Sequence, residues 1–294
     1  MSFTLRFSGH ETFALRYGWL NKSYNSLDYK EKNEENLVVD LGVGKNMVNS
    51  IKYWTEISGL QPLKVNDQKK RYISDITKVI KLYDSYLEKS VSNWLLHYYI
   101  QKNYSELTFA RWYFNFSNKQ FFDKNDLILD LMDWLNTEDL KVPAIATLQK
   151  DFDCFALCYG KKLSKAFKGE DSFVSPLNEL GLLYHLEANK FKSDFTEQKS
   201  LKPEVFLYCL VDFWQTFFKN TSTISVDSIL TMPGSPGRLF RINNIGIDFY
   251  LNQCSLLDER FFWSDTLGIR SLACKDIQAF DLDGLLEKIY SESE

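Results

Sequence analysis

Apolar side chains recur every three or four residues in several long segments of this 294-residue chain. In one segment Val48, Ile51, Trp54 and Ile57 fall on a single helical face, a spacing typical of amphipathic α-helices. Only 13 Gly and 6 Pro interrupt the chain, fewer than the many tight turns of a β-sandwich require. The sequence therefore predicts a mainly α-helical fold.

The N-terminal part of the chain has the pattern of a helix-turn-helix with a wing. A short apolar segment, 36–41, leads into the turn Gly42-Val-Gly-Lys-Asn46, which precedes the amphipathic helix starting at Met47. Ser58 and Gly59 end that helix and Leu60 begins an extended return. This order of elements predicts a winged-helix-like unit.

The same order is repeated twice more. The middle part predicts a helix over 121–134 with Asp123 as its N-cap, and a second over 144–159 with Pro143 in its first turn. The C-terminal part predicts helices over 204–219 and 226–230, a turn-rich loop and a strand over 239–242. We therefore expect tandem winged-helix-like units with short β-wings, in domains spanning 1–90, 91–170 and 171–294.

Charge distinguishes the first unit from the second. Between Leu41 and Ser90 nine Lys and Arg residues face five Asp and Glu residues, although the whole chain has a net charge of −4. In a helix-turn-helix, the exposed start of the second helix meets phosphates and base edges. The residues predicted to contact DNA there are Lys45, Asn46, Asn49 and Lys52, with Lys69, Lys70 and Arg71 as a basic wing. The alternative is an ordinary solvated lysine face.

Two turns and one acidic segment bear on nucleotide or nucleic-acid binding. The turn Gly42-Val-Gly-Lys-Asn46 lacks the glycine spacing and the Ser or Thr of a phosphate-binding loop, so a nucleotide site is disfavoured. Arg238 and Arg241 lie beside the turn Ser235-Pro-Gly, where they suit either a phosphate-contacting wing tip or a plain hairpin. The middle unit carries a run of acidic residues, Asp123, Asp126, Asp130, Asp133, Glu138 and Asp139. Acidic side chains repel a duplex, so this unit is expected to pack or to bind protein.

The string Phe7-Ser-Gly-His10-Glu11-Thr-Phe13 is the most unusual in the chain. His10 and Glu11, with Arg16 a turn later, are candidates for acid–base chemistry or for part of a metal site. The structural alternative makes Ser8 the cap of a helix starting near Gly9, with Glu11 in the capping-box position. No further ligand set and no recognisable catalytic motif accompanies them, so we expect no enzymatic activity, no metal and no cofactor.

The remaining features concern location. The N-terminus lacks the pattern of a signal peptide, and no apolar run reaches the length of a membrane helix. The five cysteines are odd in number and mostly lie in apolar segments, which favours reduced, buried thiols. We expect a cytoplasmic protein.

Five strings together resemble an uncharacterised bacterial family, domain of unknown function 4007. They are FSGHETFALRYGWLNK, LGVGKNMVNSIKYW, YLEKSVSNWLLHYYI, SPLNELGLL and SPGRLFRIN, in this order from Phe7 to about Arg270. The resemblance implies winged-helix-like units and a role in anti-phage DNA modification of the phosphorothioation type, beside a sulfate-reductase-like enzyme. It implies no catalytic residues. The recurrent residues are Gly9, His10, Glu11, Arg16, Gly42, Gly44, Lys45 and Asn46.

The leading hypothesis is a non-enzymatic accessory protein that binds double-stranded DNA in such a defence system. The alternative is a protein–protein adaptor of the same kind of complex without direct DNA binding. A third hypothesis is an enzyme built around His10 and Glu11. No membrane partner is expected, and formation of a homo-oligomer is left open.

Overall fold

The computed structural model describes residues 2–25, 34–60, 64–65, 71–72, 75–162, 175–266 and 268–291. Helices dominate it, and its sheets are small, so the prediction of a mainly α fold is confirmed. The buried hydrophobic side chains form one cluster that runs from Leu15 to Tyr290. No helix in these ranges is long and apolar enough to cross a membrane.

The N-terminal part contains a short strand, three helices, a hairpin and a fourth helix. Their bounds are β1 Thr4–Leu5, α1 Trp19–Asn25, α2 Glu34–Leu41, α3 Lys45–Ile57, β2 Lys64–Val65, β3 Arg71–Tyr72 and α4 Asp75–Tyr83. Strands β2 and β3 pair antiparallel, with Val65 opposite Arg71. The predicted helix, turn, helix and extended return are thus present in the predicted order.

The middle part packs helices against a four-stranded sheet. Its elements are α5 Ser90–Lys102, β4 Glu106–Leu107, α6 Phe109–Phe116, β5 Phe121–Asp123, α7 Lys124–Thr137, α8 Ile145–Tyr159, β6 Gly160–Lys162, β7 Leu183–His185 and β8 Lys190–Lys192. The strand order is β5-β8-β7-β6, with β6 and β7 parallel and the other pairs antiparallel. Strand β1 pairs parallel with β4, so the N-terminus lies against the middle part.

The C-terminal part has a three-stranded sheet beside a helical group. Its elements are α9 Pro203–Phe217, β9 Thr223–Ser225, α10 Val226–Thr231, α11 Pro236–Leu239, α12 Asn244–Leu257, β10 Phe261–Thr266, β11 Ile269–Cys274 and α13 Leu282–Ser291. The sheet order is β10-β11-β9. Three short 3₁₀ turns, Pro176–Leu180, Glu187–Asn189 and Ile277–Ala279, complete the described elements.

A local capping signal explains where helix α7 begins. The Asp123 carboxylate accepts hydrogen bonds from the backbone N–H groups of Asn125 and Asp126 at 2.8 and 3.0 Å, and Asp126 closes a capping box, so the predicted cap is confirmed. The helix itself begins at Lys124 rather than 121, because residues 121–123 pair with β8.

The predicted strand over 239–242 is wrong. The Ser235 side chain caps α11, and Pro236 occupies its first turn, so residues 236–239 are helical. Beyond that helix Arg241 adopts a left-handed φ of 51°, and Ile242 makes a single bridge to Thr196.

Candidate nucleic-acid interface and the buried histidine

Helix α3 presents one narrow accessible stripe. Its exposed side chains are those of Lys45, Asn46 and Glu56, its half-buried ones are those of Met47, Asn49 and Lys52, and the other seven positions are buried. Positions 45, 49, 52 and 56 lie on one helical face. The structure therefore brings together the four α3 residues that the sequence predicted as DNA contacts.

The buried side of α3 is fixed by apolar packing and by two buried hydrogen bonds. Val48 and Ile51 are almost completely buried. The Trp54 indole donates to the Phe13 carbonyl at 3.0 Å, and the Thr55 hydroxyl donates to the Ser23 hydroxyl at 2.9 Å. This packing determines which face of α3 stays accessible.

The turn before α3 leaves the helix N-terminus open. Gly42 adopts a left-handed φ of 62° at the end of α2, a conformation that glycine takes without strain. Gly44 precedes α3 in an extended conformation, and no described side chain caps the helix. The first N–H groups of α3 thus suit an anion.

The one acidic residue on the α3 stripe is neutralised from outside the helix. Arg6 contacts the Glu56 carboxylate at 2.7 Å and the Glu106 carboxylate at 2.8 Å. The Arg6 guanidinium also lies 5.0 Å from the Tyr53 ring centre. The stripe therefore carries two lysines and two asparagines beside a compensated carboxylate.

The predicted basic wing is described only in part. Lys69 and Lys70 lie outside the described residues, and Arg71 is described through its backbone pairing in β3. The hairpin stands where a wing was predicted, directly after α3 in the chain.

Arg238 and Arg241 do not form a wing tip, and this corrects the prediction of a phosphate contact there. Their side chains are 5% and 0% exposed. Arg238 donates to the Asn115 carbonyl at 3.0 Å and to the Asn118 side chain. Burial lowers the pKa of Arg238 to about 10. Both arginines are taken up by the interior, where a phosphate has no access to them.

Arg241 anchors several backbone segments. It donates to the Ser193, Lys119 and Ser117 carbonyls at 2.8, 3.3 and 3.4 Å, and lies 4.1 Å from the Phe195 ring centre. Burial lowers its pKa. Its role in the described structure is to tie α11 to the middle part.

The loop around His10 differs from the predicted capped helix. Residues 8–12 form turns, and Ser8, Glu11 and Thr12 have positive φ values of 62°, 49° and 68°. No helix begins directly after Ser8. Its backbone N–H donates to both carboxylate oxygens of Asp151 at 3.0 Å. The capping prediction is wrong because a carboxylate on α8 supplies the partner.

His10 is buried, and both of its ring nitrogens are occupied. Nδ1 accepts the Thr12 backbone N–H at 3.1 Å, and Nε2 lies 3.1 Å from Asp151 Oδ1. A backbone N–H only donates, so Nε2 carries the proton and donates to Asp151. The Ser50 hydroxyl donates to the His10 carbonyl. In this geometry His10 has no lone pair left for a substrate.

Glu11 and Arg16 do not join His10 in a site. Glu11 is exposed, whereas His10 is 4% exposed and turned towards α8. The Arg16 guanidinium lies 5.7 Å from the Phe13 ring centre and 5.3 Å from that of Trp19. The predicted His10–Glu11 pair is replaced by a His10–Asp151 pair.

A small cavity adjoins this pair. Its walls include His10, Asp151, Gln101 and Tyr159, and it offers about 20 Å³ to the centre of a water molecule. Gln101 Nε2 donates to the Tyr159 hydroxyl at 2.9 Å, whereas its Oε1 has no hydrogen-bond partner among the described residues. The space and the orphaned acceptor suit one bound water molecule.

The position of Asp151 on its helix is itself a sequence signal for a buried polar contact. In α8, Leu148, Phe152 and Phe155 point inward, and Asp151 shares their face. A carboxylate on an apolar face needs a buried partner, and Ser8 and His10 provide it. No group of three or more His, Cys, Asp or Glu side chains in the described ranges is placed to hold a metal ion.

Comparison with known proteins gives a family match and a structural match. The family model described as "Protein of unknown function (DUF4007)" matches residues 7–290. A crystal structure of SspB is similar, with a TM-score of 0.80 and 27% identity, over 98% of this chain and 89% of that chain. A magnesium ion-bound crystal structure of SspB has the same TM-score and coverage, with 26% identity. Among curated proteins there is no match.

Proposed function

The chain belongs to the DUF4007 family, and from this premise we propose that it binds double-stranded DNA through α3, as an accessory protein of a bacterial DNA-modification defence system. The observation that carries the proposal is the α3 stripe of Lys45, Asn49 and Lys52, with Asn46 beside it and an open helix N-terminus. Lysines and helix-end amides bind phosphates, and asparagine side chains read base edges.

Strand order supports the proposal that the chain contains tandem winged-helix-like units. In a winged helix a strand before the second helix pairs with the last strand of the wing. Strand β5, before α7, pairs with β8, and β9, before α10, pairs with β11. By this correspondence α8 takes the position of a recognition helix in one unit, and α12 does so in another when the single-turn α11 is left out. Helix α3 takes that position only by its order in the chain, as the third helix before a hairpin.

Helices α3, α8 and α12 differ in their accessible residues, and this difference favours α3 as the helix that contacts DNA. The accessible side of α8 mixes Lys150 with Asp153, and that of α12 mixes apolar side chains with Asn244, Asp248 and Asn252 but carries no lysine or arginine. On α3 the only accessible acid, Glu56, is paired with Arg6. Because the net charge of the chain is −4, affinity for DNA depends on this local distribution.

We also propose that the protein has no catalytic role in this system. The hypothesis of an enzyme at His10 requires a ring nitrogen that can exchange a proton with a substrate. Both nitrogens are held by Thr12 and Asp151 inside the protein.

The magnesium ion of one SspB structure is not carried over to this chain. That ion is a property of the SspB crystal structure. The proposal therefore rests on side-chain and helix-end contacts to DNA.

The test is fluorescence anisotropy with a labelled random duplex over a salt series, comparing the parent with Lys45→Glu/Lys52→Glu. Lys199→Glu/Lys219→Glu is the matched control, because it makes the same charge change at exposed lysines elsewhere. Removing two phosphate contacts reduces the log–log salt slope by about 1.8. If a folded Lys45→Glu/Lys52→Glu variant binds duplex as tightly as the control, α3 is not the DNA-binding element.

The second candidate function is a protein–protein adaptor, and α12 is the observation that favours it. Its accessible face carries Ile245, Phe249 and Leu256, which are 67%, 50% and 78% exposed. These three side chains lie along one side of α12 with exposed Asn252 among them, and exposed apolar patches mark surfaces that bind partners.

Copurification from the native host tests the adaptor. The adaptor predicts a complex that survives nuclease treatment, for example with a sulfate-reductase-like modification enzyme, and that is lost in Phe249→Asp. If nuclease treatment releases every partner, the adaptor function is contradicted, because DNA then connects the copurified proteins.

A further inference from the structure

The four-stranded sheet of the middle part turns one face inward and one face outward. Side chains alternate along each strand, so Phe122 and Phe191 point inward, where their rings stack at 5.8 Å. Helix α8 covers this inner face. The outward face belongs to the residues that alternate with these two.

The strand register places four outward residues in one row across the sheet. Phe121 is opposite Lys192, Lys192 is opposite Tyr184, and Tyr184 is opposite Lys161. Lys190 lies on the same face of β8, two residues before Lys192. Neighbouring strands are about 4.8 Å apart, so the row is about 14 Å long.

The aromatic rings of this row are accessible and held in position. Phe121 is 61% exposed, although it lies in a sheet. The Lys192 ammonium is 5.3 Å from the Phe121 ring centre. Tyr184 is half-buried, and its hydroxyl fills the space where a side chain at Gly181 would begin. The Phe121 ring thus lies largely open to solvent beside the Lys192 ammonium group.

The lysines place three ammonium groups on this face, next to three carboxylates. Lys161 and Lys190 are exposed. Of the nearby acids, Asp194 contacts Lys192 at 2.6 Å, and Asp123 is taken up by capping α7. Glu187 stands in the turn between β7 and β8. Lys161, Lys190 and Lys192 equal Asp123, Glu187 and Asp194 in number, so this face offers ammonium groups while its formal charge is close to zero.

We propose that this outward face, which consists of Phe121, Lys161, Tyr184, Lys190 and Lys192, binds single-stranded DNA. Bases stack on the Phe121 and Tyr184 rings, and the lysine ammonium groups neutralise the phosphates between them. A duplex hides the faces of its bases inside the stack, so flat rings on a sheet select the unpaired strand. This site is separate from α3 and does not depend on duplex binding there.

The experiment uses the full chain and a fluorescently labelled oligo(dT) of about 20 nucleotides, with anisotropy read over a salt series. Removing one stacking ring, in Phe121→Ala, is expected to weaken binding by about 10-fold, and Phe121→Ala/Tyr184→Ala by more. Lys161→Glu/Lys190→Glu is expected to reduce the salt slope by about 1.4, at about 0.7 per phosphate of a single strand. Tyr86→Ala/Phe262→Ala is the control, because it removes two exposed rings elsewhere.

Duplex binding separates this inference from the α3 proposal. We expect Phe121→Ala to leave affinity for a random duplex unchanged, and Lys45→Glu/Lys52→Glu to leave affinity for oligo(dT) within about twofold of the parent. If the parent fails to bind oligo(dT) at low salt, or if folded Phe121→Ala binds it like the control, the inference is overturned. Equal weakening for duplex and oligo(dT) in Phe121→Ala also overturns it, because stacking would then not be the interaction. If Lys45→Glu/Lys52→Glu loses duplex binding but keeps its affinity for oligo(dT), the inference about the sheet is supported.

Discussion

The imidazole of His10 donates to the carboxylate of Asp151 over 3.1 Å, although the two residues are 141 positions apart in the chain. Asp151 also accepts two bonds from the Ser8 N–H, and the Ser8 hydroxyl lies 3.3 Å from it. This pair attaches the loop of residues 8–12, with its three left-handed residues, to helix α8. Its role in the described structure is to hold the N-terminal part against the middle part.

His10→Ala is therefore expected to lower the free energy of unfolding by about 2–4 kcal/mol, because it leaves a buried carboxylate short of a donor. Urea unfolding measures the loss. Exposed Glu11→Ala is the control, expected to stay within about 0.5 kcal/mol of the parent. Additive effects of His10→Ala and Asp151→Ala in a double-mutant cycle would contradict a direct interaction.

Arg241→Lys is expected to destabilise the protein by about 3 kcal/mol without changing its affinity for duplex DNA. A lysine cannot reach the three carbonyls that Arg241 serves, and buried acceptors without donors are costly. Urea unfolding and duplex anisotropy on the folded variant measure the two effects. Arg260→Lys, at a partly exposed pair with Asp258, is the control, with a cost of at most about 1 kcal/mol. Weaker duplex binding by folded Arg241→Lys would show that Arg241 contributes to DNA binding.

Buried His97 makes stability depend on pH. Its Nε2 donates to the Leu239 carbonyl at 2.9 Å, so Nδ1 accepts the Tyr159 hydroxyl at 2.9 Å. Burial lowers the pKa of His97 to about 4. Below about pH 6.5 the unfolded chain binds a proton there that the folded protein does not, so stability falls as the pH falls to about 4.

From this residue alone the expected loss between pH 7.5 and pH 5 is about 2 kcal/mol. Urea unfolding at the two pH values measures it, with His97→Gln as the comparison. The variant is less stable at pH 7.5 but loses about 2 kcal/mol less on acidification. An equal loss in parent and variant would show that other groups cause the pH dependence.

The five cysteine thiols are expected to be unreactive in the native protein. Cys154, Cys158, Cys209, Cys254 and Cys274 are all free and buried. Burial raises the pKa of Cys274 to about 11, and that of Cys254 is raised by the same cause, so little thiolate is available at neutral pH. Ellman's reagent should give a slow, incomplete reaction in buffer and five thiols in urea. Fast reaction of one thiol in buffer would identify a reactive site.

Much of the helical framework was predictable from short-range patterns. The apolar spacing of α3, α8 and α9 and the capping box of Asp123 depend on residues within one or two turns of each other. The same spacing determines which α3 positions lie away from the core, among them Lys45, Asn46, Asn49 and Lys52, whereas their contact with DNA stays a prediction. These features are local, and helix geometry alone fixes them.

What the tertiary structure decided is the environment of the polar residues. A helix cap at Ser8 and a wing tip at Arg238 and Arg241 were reasonable from their neighbours in the sequence. Asp151 and the carbonyls of residues 115–119 and 193, more than 40 positions away from the groups they bind, set those roles instead. A hydrogen-bonding group takes whichever partner folding brings within about 3 Å, and sequence spacing does not encode that distance.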